Sequence, residues 1–255
     1  MKKSTRKLLY VIFTLLIIVS GVIFYLEYTK KQEEPEIYDP TPSEIAVDED
    51  KFEEVVVEKA TIKMAPDVDL DAERKKYNNN DIIGRLEIPD LFNVLVVRGT
   101  DNKYYLNHAV DKSNDIRGSE FMDFRLTPTS RQVNIYGHNS RDPKIKVAFL
   151  KLEKFLDKDF FDDNQYIIFQ YDGGKSIYKI RGMRQIYETN TDHLNKLHYT
   201  GQEYVNYVNE LTGQDGRINY RDIPVDENSE ILVLQTCSHD WDKALYLITA
   251  VKIKN

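Results

Sequence analysis

Short runs of β-branched and aromatic residues recur along the last two thirds of the chain, and clusters of Asn, Asp, Gly or Pro separate them. This pattern is typical of short strands joined by tight connections. Eight strands can avoid exposed sheet edges by closing on themselves, so the sequence predicts a closed or nearly closed barrel. The eight runs are Ile83–Ile88, Val94–Arg98, Glu120–Phe124, Val133–Gly137, Tyr166–Tyr171, Ser176–Ile186, Ile231–Thr236 and Leu245–Ile253.

Three other segments have helical patterns. Val147–Leu156 and Gln202–Leu211 place apolar residues at helical spacing, and Asp71–Asn78 is polar and compatible with a helix. The sequence therefore predicts a mainly β fold, an eight-stranded barrel with an N-terminal helix and a helix inserted before the strand that ends at Cys237. Residues 71–255 are enough for one domain with its own buried core.

The N-terminus predicts a membrane anchor. Leu8 to Leu26 is a stretch of 19 residues without a charge, and four basic residues precede it. A helix of this length spans roughly 28 Å, close to the ~30 Å of a bilayer core. A cleaved signal peptide is the alternative, but Phe24–Tyr28 is bulky and offers no small-residue cleavage site. We expect residues 1–31 to form a cytoplasmic tail and a single-pass anchor in the cell membrane, with the catalytic domain outside.

The segment after the anchor is acidic. From Gln32 to Asp71 there are fourteen Asp and Glu residues against three Lys, and four prolines. Self-repulsion and proline keep such a segment extended, so residues 32–70 are predicted to be an extracellular stalk, with a short amphipathic piece at Phe52–Val57 as the alternative. The segment from Gln32 to Asp71 carries a net charge of −11 against −7 for the whole chain. Since no basic stripe with interleaved aromatics occurs elsewhere, we expect no nucleic-acid partner.

Cys237 is the only cysteine, and it ends an apolar strand-like run. Outside the cell it cannot form an internal disulfide, so it is either an inert buried side chain or a reactive thiol. A reactive thiol needs a neighbour that takes its proton. His138 follows a predicted strand and enters a turn, whereas His239, two residues after the cysteine, is the competing base. Spacing alone leaves both interpretations of Cys237 open.

The spacing of the histidines and the cysteine does not indicate a metal site. One cysteine and scattered histidines lack zinc-ligand spacing, and no EF-hand loop is present. We expect no metal and no other cofactor.

Five motifs occur in a fixed order between residues 80 and 253. They are Asp81–Pro89 (DIIGRLEIP), Tyr104–His108 (YYLNH), Phe121–Arg125 (FMDFR), Tyr136–Asn139 (YGHN) and Leu234–Cys237 (LQTC). Each is unremarkable alone, but the ordered series resembles the class B sortases. The N-terminal anchor and stalk also fit that family.

The resemblance implies a sortase-type β-barrel and a cysteine transpeptidase on the outer face of a Gram-positive cell. It implies that Cys237 is the nucleophile and His138 the general acid/base, with Thr236 and Asn139 at the substrate. The implied partners are secreted proteins with a C-terminal sorting signal, cleaved at a Thr–Gly or Thr–Asn type bond, and a peptidoglycan or pilin amine that resolves the thioester. Hydrolysis is an implied side reaction when no amine is available.

One position departs from the family pattern. Sortases carry an arginine on the last strand that holds substrate and stabilises the oxyanion, and Leu245 stands at that position here. We expect either a substitute cation or a weakened or inactive relative that binds sorting signals without processing them. The candidate substitutes are Lys243, Arg125, Arg217 and Arg221. A papain-type protease fits poorly, because that family places its cysteine before its histidine.

Overall fold

The structure is a computed structural model that describes Gly21 and residues 41–188, 197–240 and 242–253. The chain divides into two units, Met1–Asp39 and Pro40–Asn255. Apart from Gly21, the predicted tail and anchor lie outside the described residues. Among the described residues, no helix has the length and apolar character needed to cross a membrane.

Strands dominate the second unit. They are β1 (Glu53–Val57), β2 (Ala60–Met64), β3 (Ile82–Ile88), β4 (Phe92–Val97), β5 (Phe121–Met122), β6 (Gln132–Tyr136), β7 (Tyr166–Tyr171), β8 (Gly174–Tyr187), β9 (Arg217–Tyr220), β10 (Ile231–Ser238) and β11 (Ala244–Lys252). In the part of this unit that the structure describes, the α-helices are α1 (Leu70–Tyr77), α2 (Lys158–Asp163) and α3 (Gly201–Leu211), and 3-10 helices lie at Glu49–Lys51, Tyr104–Leu106 and Ala148–Leu156.

Eight strands close into a barrel. Their order is β11-β10-β6-β5-β4-β3-β7-β8, and β8 pairs with β11 to complete the circle, while β9 adds to β8 as a ninth strand. The β6–β10 and β4–β5 pairs are parallel and the others are antiparallel. The predicted mainly β, eight-stranded barrel is thereby confirmed. Closure leaves few backbone groups of the barrel strands at an open edge.

The strand that carries the cysteine is buried on both faces. Leu232 and Leu234 point into the barrel core, while Ile231 and Val233 join a second apolar cluster with residues of α3. Tyr204 and Val208 of that helix are four residues apart and face this cluster. The helix predicted before the cysteine strand is therefore present, and it fixes β10 from outside the barrel.

Part of the predicted stalk is folded onto the barrel. Val57, Ile62 and Met64 of the β1–β2 hairpin form an apolar cluster with β7 and β8. Upstream, the amide of Leu95 in β4 donates to the Ser43 carbonyl at 2.8 Å. This corrects the expectation of an extended stalk for residues 41–64, because alternate apolar side chains reach the barrel while the acidic ones face solvent. Residues 32–40 lie outside the described part.

Candidate active site

Four barrel strands meet at one rim. Because β6 and β10 run parallel, their carboxyl ends emerge together, with Tyr136 beside Gln235. The antiparallel strands β11 and β8 bring Ala244 and Tyr187 to the same rim. Loops and side chains at this rim enclose a cleft of about 320 Å³. Strand ends on a rigid sheet are suited to holding reactive groups in fixed positions.

The two residues predicted to carry the chemistry line this cleft. Cys237 is the second-last residue of β10, and His138 lies two residues after the end of β6. They are about a hundred positions apart in sequence. The parallel pairing of β6 with β10 brings them to the same side of the molecule, as a Cys–His pair requires.

The His138 ring is oriented by a main-chain carbonyl. Its Nε2 lies 2.5 Å from the Leu106 oxygen. Since a carbonyl can only accept, Nε2 carries the hydrogen, and in the neutral ring Nδ1 is then the atom that accepts a proton. The loop that presents Leu106 is itself braced, because the Asp101 carboxylate accepts from the amides of Lys103 and Tyr104 at 2.7 and 2.8 Å.

The Cys237 thiol is held in its neutral form. Desolvation raises the pKa of Cys237, and the negative charge of Glu188 raises the same pKa further. At neutral pH the sulfur therefore keeps its proton and is a weak nucleophile by itself. Catalysis therefore needs a base that removes the proton during attack, and His138 lines the same cleft.

Two more predicted site residues brace the loops. Thr236 is buried, and its hydroxyl donates to the Gly137 carbonyl at 2.8 Å. Asn139 is also buried, and its Nδ2 donates to the Cys237 carbonyl at 2.9 Å and to Glu153 at 2.7 Å. Thr236 lines the cleft, but the Asn139 amide is used inside the protein. The structure thus gives Asn139 a positioning role, and its contact with substrate stays a prediction.

The competing base, His239, is engaged elsewhere. Its Nε2 donates to the Asn139 carbonyl at 3.1 Å. This bond ties the loop after β10 to the loop after β6. Of these two histidines, only His138 is among the described residues that line the cleft.

Comparison with known proteins finds relatives by sequence and by fold. No protein-family model matches the chain. It is 28% identical over 177 residues to Sortase B of Staphylococcus aureus (strain NCTC 8325 / PS 47), covering 68% of this chain and 70% of that protein. The crystal structure of Clostridium perfringens sortase B superposes with a TM-score of 0.64 at 26% identity, covering 72% of this chain and all of that one.

The chain is a homologue of the class B sortases. Its closed barrel is the sortase fold. The structure of the Staphylococcus aureus sortase B–substrate complex, with a TM-score of 0.62 at 24% identity, covers 72% of this chain and shares that fold.

This sortase homologue has leucine beside its thiol. Leu245 pairs directly with Cys237 across β10 and β11, is buried, and lines the cleft. The register therefore places an apolar side chain where the resemblance predicts an arginine. Lys243 is exposed and lies in a left-handed turn with φ of 59°, outside the cleft lining. Its position gives no support to its prediction as a substitute cation.

The other candidate arginines are also engaged away from the thiol. Arg125 forms a two-bond ion pair with Asp123, at 2.7 and 2.8 Å. Arg217 donates to carbonyl groups just after α3, and Arg221 donates to carbonyl groups of β8 and α2. Within the described part of the chain, the cleft of the sortase homologue is lined by neither lysine nor arginine.

Sequence reasoning missed Leu106 and Glu188. Leu106 lies inside one of the recognised motifs, Tyr104–His108, but acts through its carbonyl, which carries no residue-specific signal. Glu188 directly follows β8, and only barrel closure by the β8–β11 pair brings it to the cysteine. Its place after a long strand-like run was the one signal available.

Proposed function

We propose that the chain is a cysteine transpeptidase that cleaves the C-terminal sorting signal of secreted proteins and transfers the acyl group to an amine. The observation that carries the proposal is one cleft lined by both Cys237 and His138, in a homologue of the class B sortases. The neutral thiol and the oriented imidazole suit general-base attack on an amide carbonyl.

The first half-reaction forms a thioester. The Cys237 thiol gives its proton to Nδ1 of His138 while the sulfur bonds to the carbonyl carbon of the scissile amide. The tetrahedral intermediate then loses its nitrogen, the C–N bond breaks, and the departing amine takes the proton from Nδ1. The acyl group remains on sulfur.

The second half-reaction releases the enzyme. An incoming amine gives a proton to Nδ1 and attacks the thioester carbon, so that a new C–N bond forms and the C–S bond breaks. The thiolate of Cys237 recovers the proton from His138. Water can replace the amine, which yields hydrolysis as a side reaction.

The cleft offers no positive charge to the developing oxyanion among its described lining residues. Removing one preorganised donor typically costs about 10²–10³ in rate. We therefore expect turnover slower than in sortases that carry the arginine.

We further propose that Leu8–Leu26 anchors the protein in the cell membrane of a Gram-positive cell, with its N-terminus in the cytoplasm. The uncharged length and the four preceding basic residues support this placement. The acyl donors would then be secreted proteins and the acceptor a peptidoglycan precursor or pilin amine on the same face of the membrane.

The second candidate is a binding or assembly module that holds sorting signals without cleaving them. The apolar Leu245 beside the thiol favours this alternative.

Mass spectrometry separates the two candidates. The full chain, in detergent, is incubated with peptides that contain a Thr–Gly or Thr–Asn bond, and the reaction is quenched with acid, which preserves a thioester for the mass measurement. A transpeptidase gives an acyl adduct on Cys237 that is absent in Cys237→Ala and strongly reduced in His138→Ala. Peptide binding without any adduct would refute the transpeptidase and support the binding module.

A further inference from the structure

Glu188 is the one carboxylate that lines the cleft in the described part of the chain. Its main-chain amide donates to the Lys243 carbonyl at 2.7 Å, which fixes the residue at the rim. The carboxylate itself has no hydrogen bond or ion pair with any described residue. An exposed charge that has no partner in the described part of the chain, and that acts on the thiol, is available to a ligand.

The strand order separates Glu188 from the histidine. Across the rim the order is β6, β10, β11, β8, so Cys237 lies between His138 on one side and Leu245 and Glu188 on the other. The two sides of the sulfur therefore differ in chemistry. One carries the acid/base, and the other carries an apolar surface followed by a negative charge.

The proposed reaction places the leaving fragment of the substrate on one side of the Cys237 sulfur and the acyl part on the other. The departing nitrogen takes its proton from His138, so the leaving fragment must lie on the histidine side. The incoming amine also passes its proton to His138, so it enters the space that the leaving fragment vacates. The acyl part extends from the opposite side of the carbonyl carbon, over Leu245 and towards Glu188.

We propose that Glu188 is a specificity-determining residue that selects acyl donors with a cationic side chain, lysine or arginine, ahead of the scissile bond. This inference rests on the proposed function, because that function fixes which side holds the acyl part. Leu245 takes part by contacting the apolar stem of such a side chain, as long cationic residues lay their methylenes on apolar surface. An arginine at 245 would instead pair with Glu188 and cancel its charge.

The expected preference is modest because Glu188 is exposed. Exposed ion pairs contribute up to about 1 kcal/mol, which corresponds to about a fivefold change in affinity. The preference should shrink in high salt, because solvent-exposed charges are screened.

Peptide binding tests the inference without requiring chemistry. Fluorescent peptides containing a Thr–Gly bond, with Lys, Gln or Glu placed in turn at each of the three positions before the threonine, are titrated into the full-length Cys237→Ala protein. We expect the Lys peptide to bind about fivefold tighter than the Gln peptide at one position or more, and the Glu peptide more weakly. Adding Glu188→Gln should abolish this preference, and Glu188→Lys should reverse it.

Asp242→Asn is the matched control, since Asp242 is an exposed carboxylate in the turn before β11 and does not line the cleft. A preference that survives Glu188→Gln, that Asp242→Asn removes equally, or that never occurs would overturn the inference. So would an effect of Glu188→Gln on the acceptor amine alone, measured on acyl-enzyme of the protein with Cys237 intact. If the preference depends on Glu188 but no adduct forms on Cys237, then Glu188 selects cationic peptides that are bound without cleavage, and the transpeptidase proposal fails separately.

Discussion

The substitution Leu245→Arg should convert a slow enzyme into a faster one. Leu245 lies opposite Cys237 in the β10–β11 register and lines the cleft, so an arginine there can place its guanidinium next to the reacting carbonyl. A preorganised oxyanion donor contributes about 10²–10³ in rate. Glu188 on the same side competes for the new cation. We therefore expect acylation to accelerate by about tenfold, and by more when Glu188→Gln is added.

The substitution has a structural cost. Leu245 is 7% exposed and packs in the apolar cluster that includes Ile186, Val208 and Leu247. Losing such burial costs about 1.5–3 kcal/mol. The arginine stem restores part of it, because its methylenes can cover the same surface while the head group reaches the cleft. With about 1–2 kcal/mol left uncompensated, the melting temperature should fall by about 2–8 °C, at roughly 2–4 °C per kcal/mol.

Two assays decide the outcome. Rapid quench-flow followed by mass spectrometry gives the rate of acyl-enzyme formation with a Thr–Gly peptide. The pH dependence of alkylation by iodoacetamide gives the pKa of Cys237. A cation beside the sulfur should lower that pKa. Leu245→Met controls for the loss of leucine, and Leu245→Lys tests charge without the bidentate fork of arginine.

One result would refute the reasoning. If Leu245→Arg folds and lowers the pKa of Cys237, the guanidinium is in place. Acylation no faster than in Leu245→Met would then show that the missing cation does not limit the reaction.

Three further perturbations follow from buried polar groups. Burial raises the pKa of Glu120 from 4.5 to about 7, so stability should fall by about 3 kcal/mol as pH rises between these values, and Glu120→Gln should remove that slope in urea titrations. Asn139→Ala removes the bond to the Cys237 carbonyl, so kcat for acylation should fall about tenfold with KM unchanged. Arg85→Ala leaves Glu87 buried without its ion-pair partner and should cost about 3–5 kcal/mol in urea unfolding, with Arg85→Ala/Glu87→Gln less destabilised.

The barrel could be predicted because each of its strands has a local sequence pattern, a short run of β-branched and aromatic residues between turn-forming residues. Each of the eight predicted runs overlaps one barrel strand, and the helix predicted from the spacing of Tyr204, Val208 and Leu211 is α3. The run at Val147–Leu156 also winds, but as a 3-10 helix at Ala148–Leu156. Hydrophobic periodicity indicates which side chains of a helix or strand will be buried, and in this barrel those side chains form the core.

The hairpin at residues 53–64 was harder to predict. The acidic composition of its segment predicts an extended chain, and the apolar residues Val57, Ile62 and Met64 are too few to indicate a core by themselves. They find one only because β7 and β8 present an apolar surface to them. Tertiary contact overrides local composition here.

The residues of the candidate site also include some that the sequence could predict and some that it could not. Cys237 and His138 could be predicted from residue type and motif, and the structure brings both to one cleft. The contact of His138 with the Leu106 carbonyl could not be predicted, because every residue has a main-chain carbonyl. Glu188 could not either, since its place depends on a strand pairing between β8 and β11, which are separated by more than fifty residues of sequence.

The position of the thiol on β10 has a consequence for the timing of activation. Synthesis proceeds from the N-terminus, and the cleft requires Leu245 from β11, the last strand. A nascent chain that stops before residue 244 has its histidine and cysteine but lacks one wall of the cleft and the closing seam with β8. The cleft is therefore assembled only after β11 has been synthesised, and a shorter chain has no closed cleft in which Cys237 and His138 can act together.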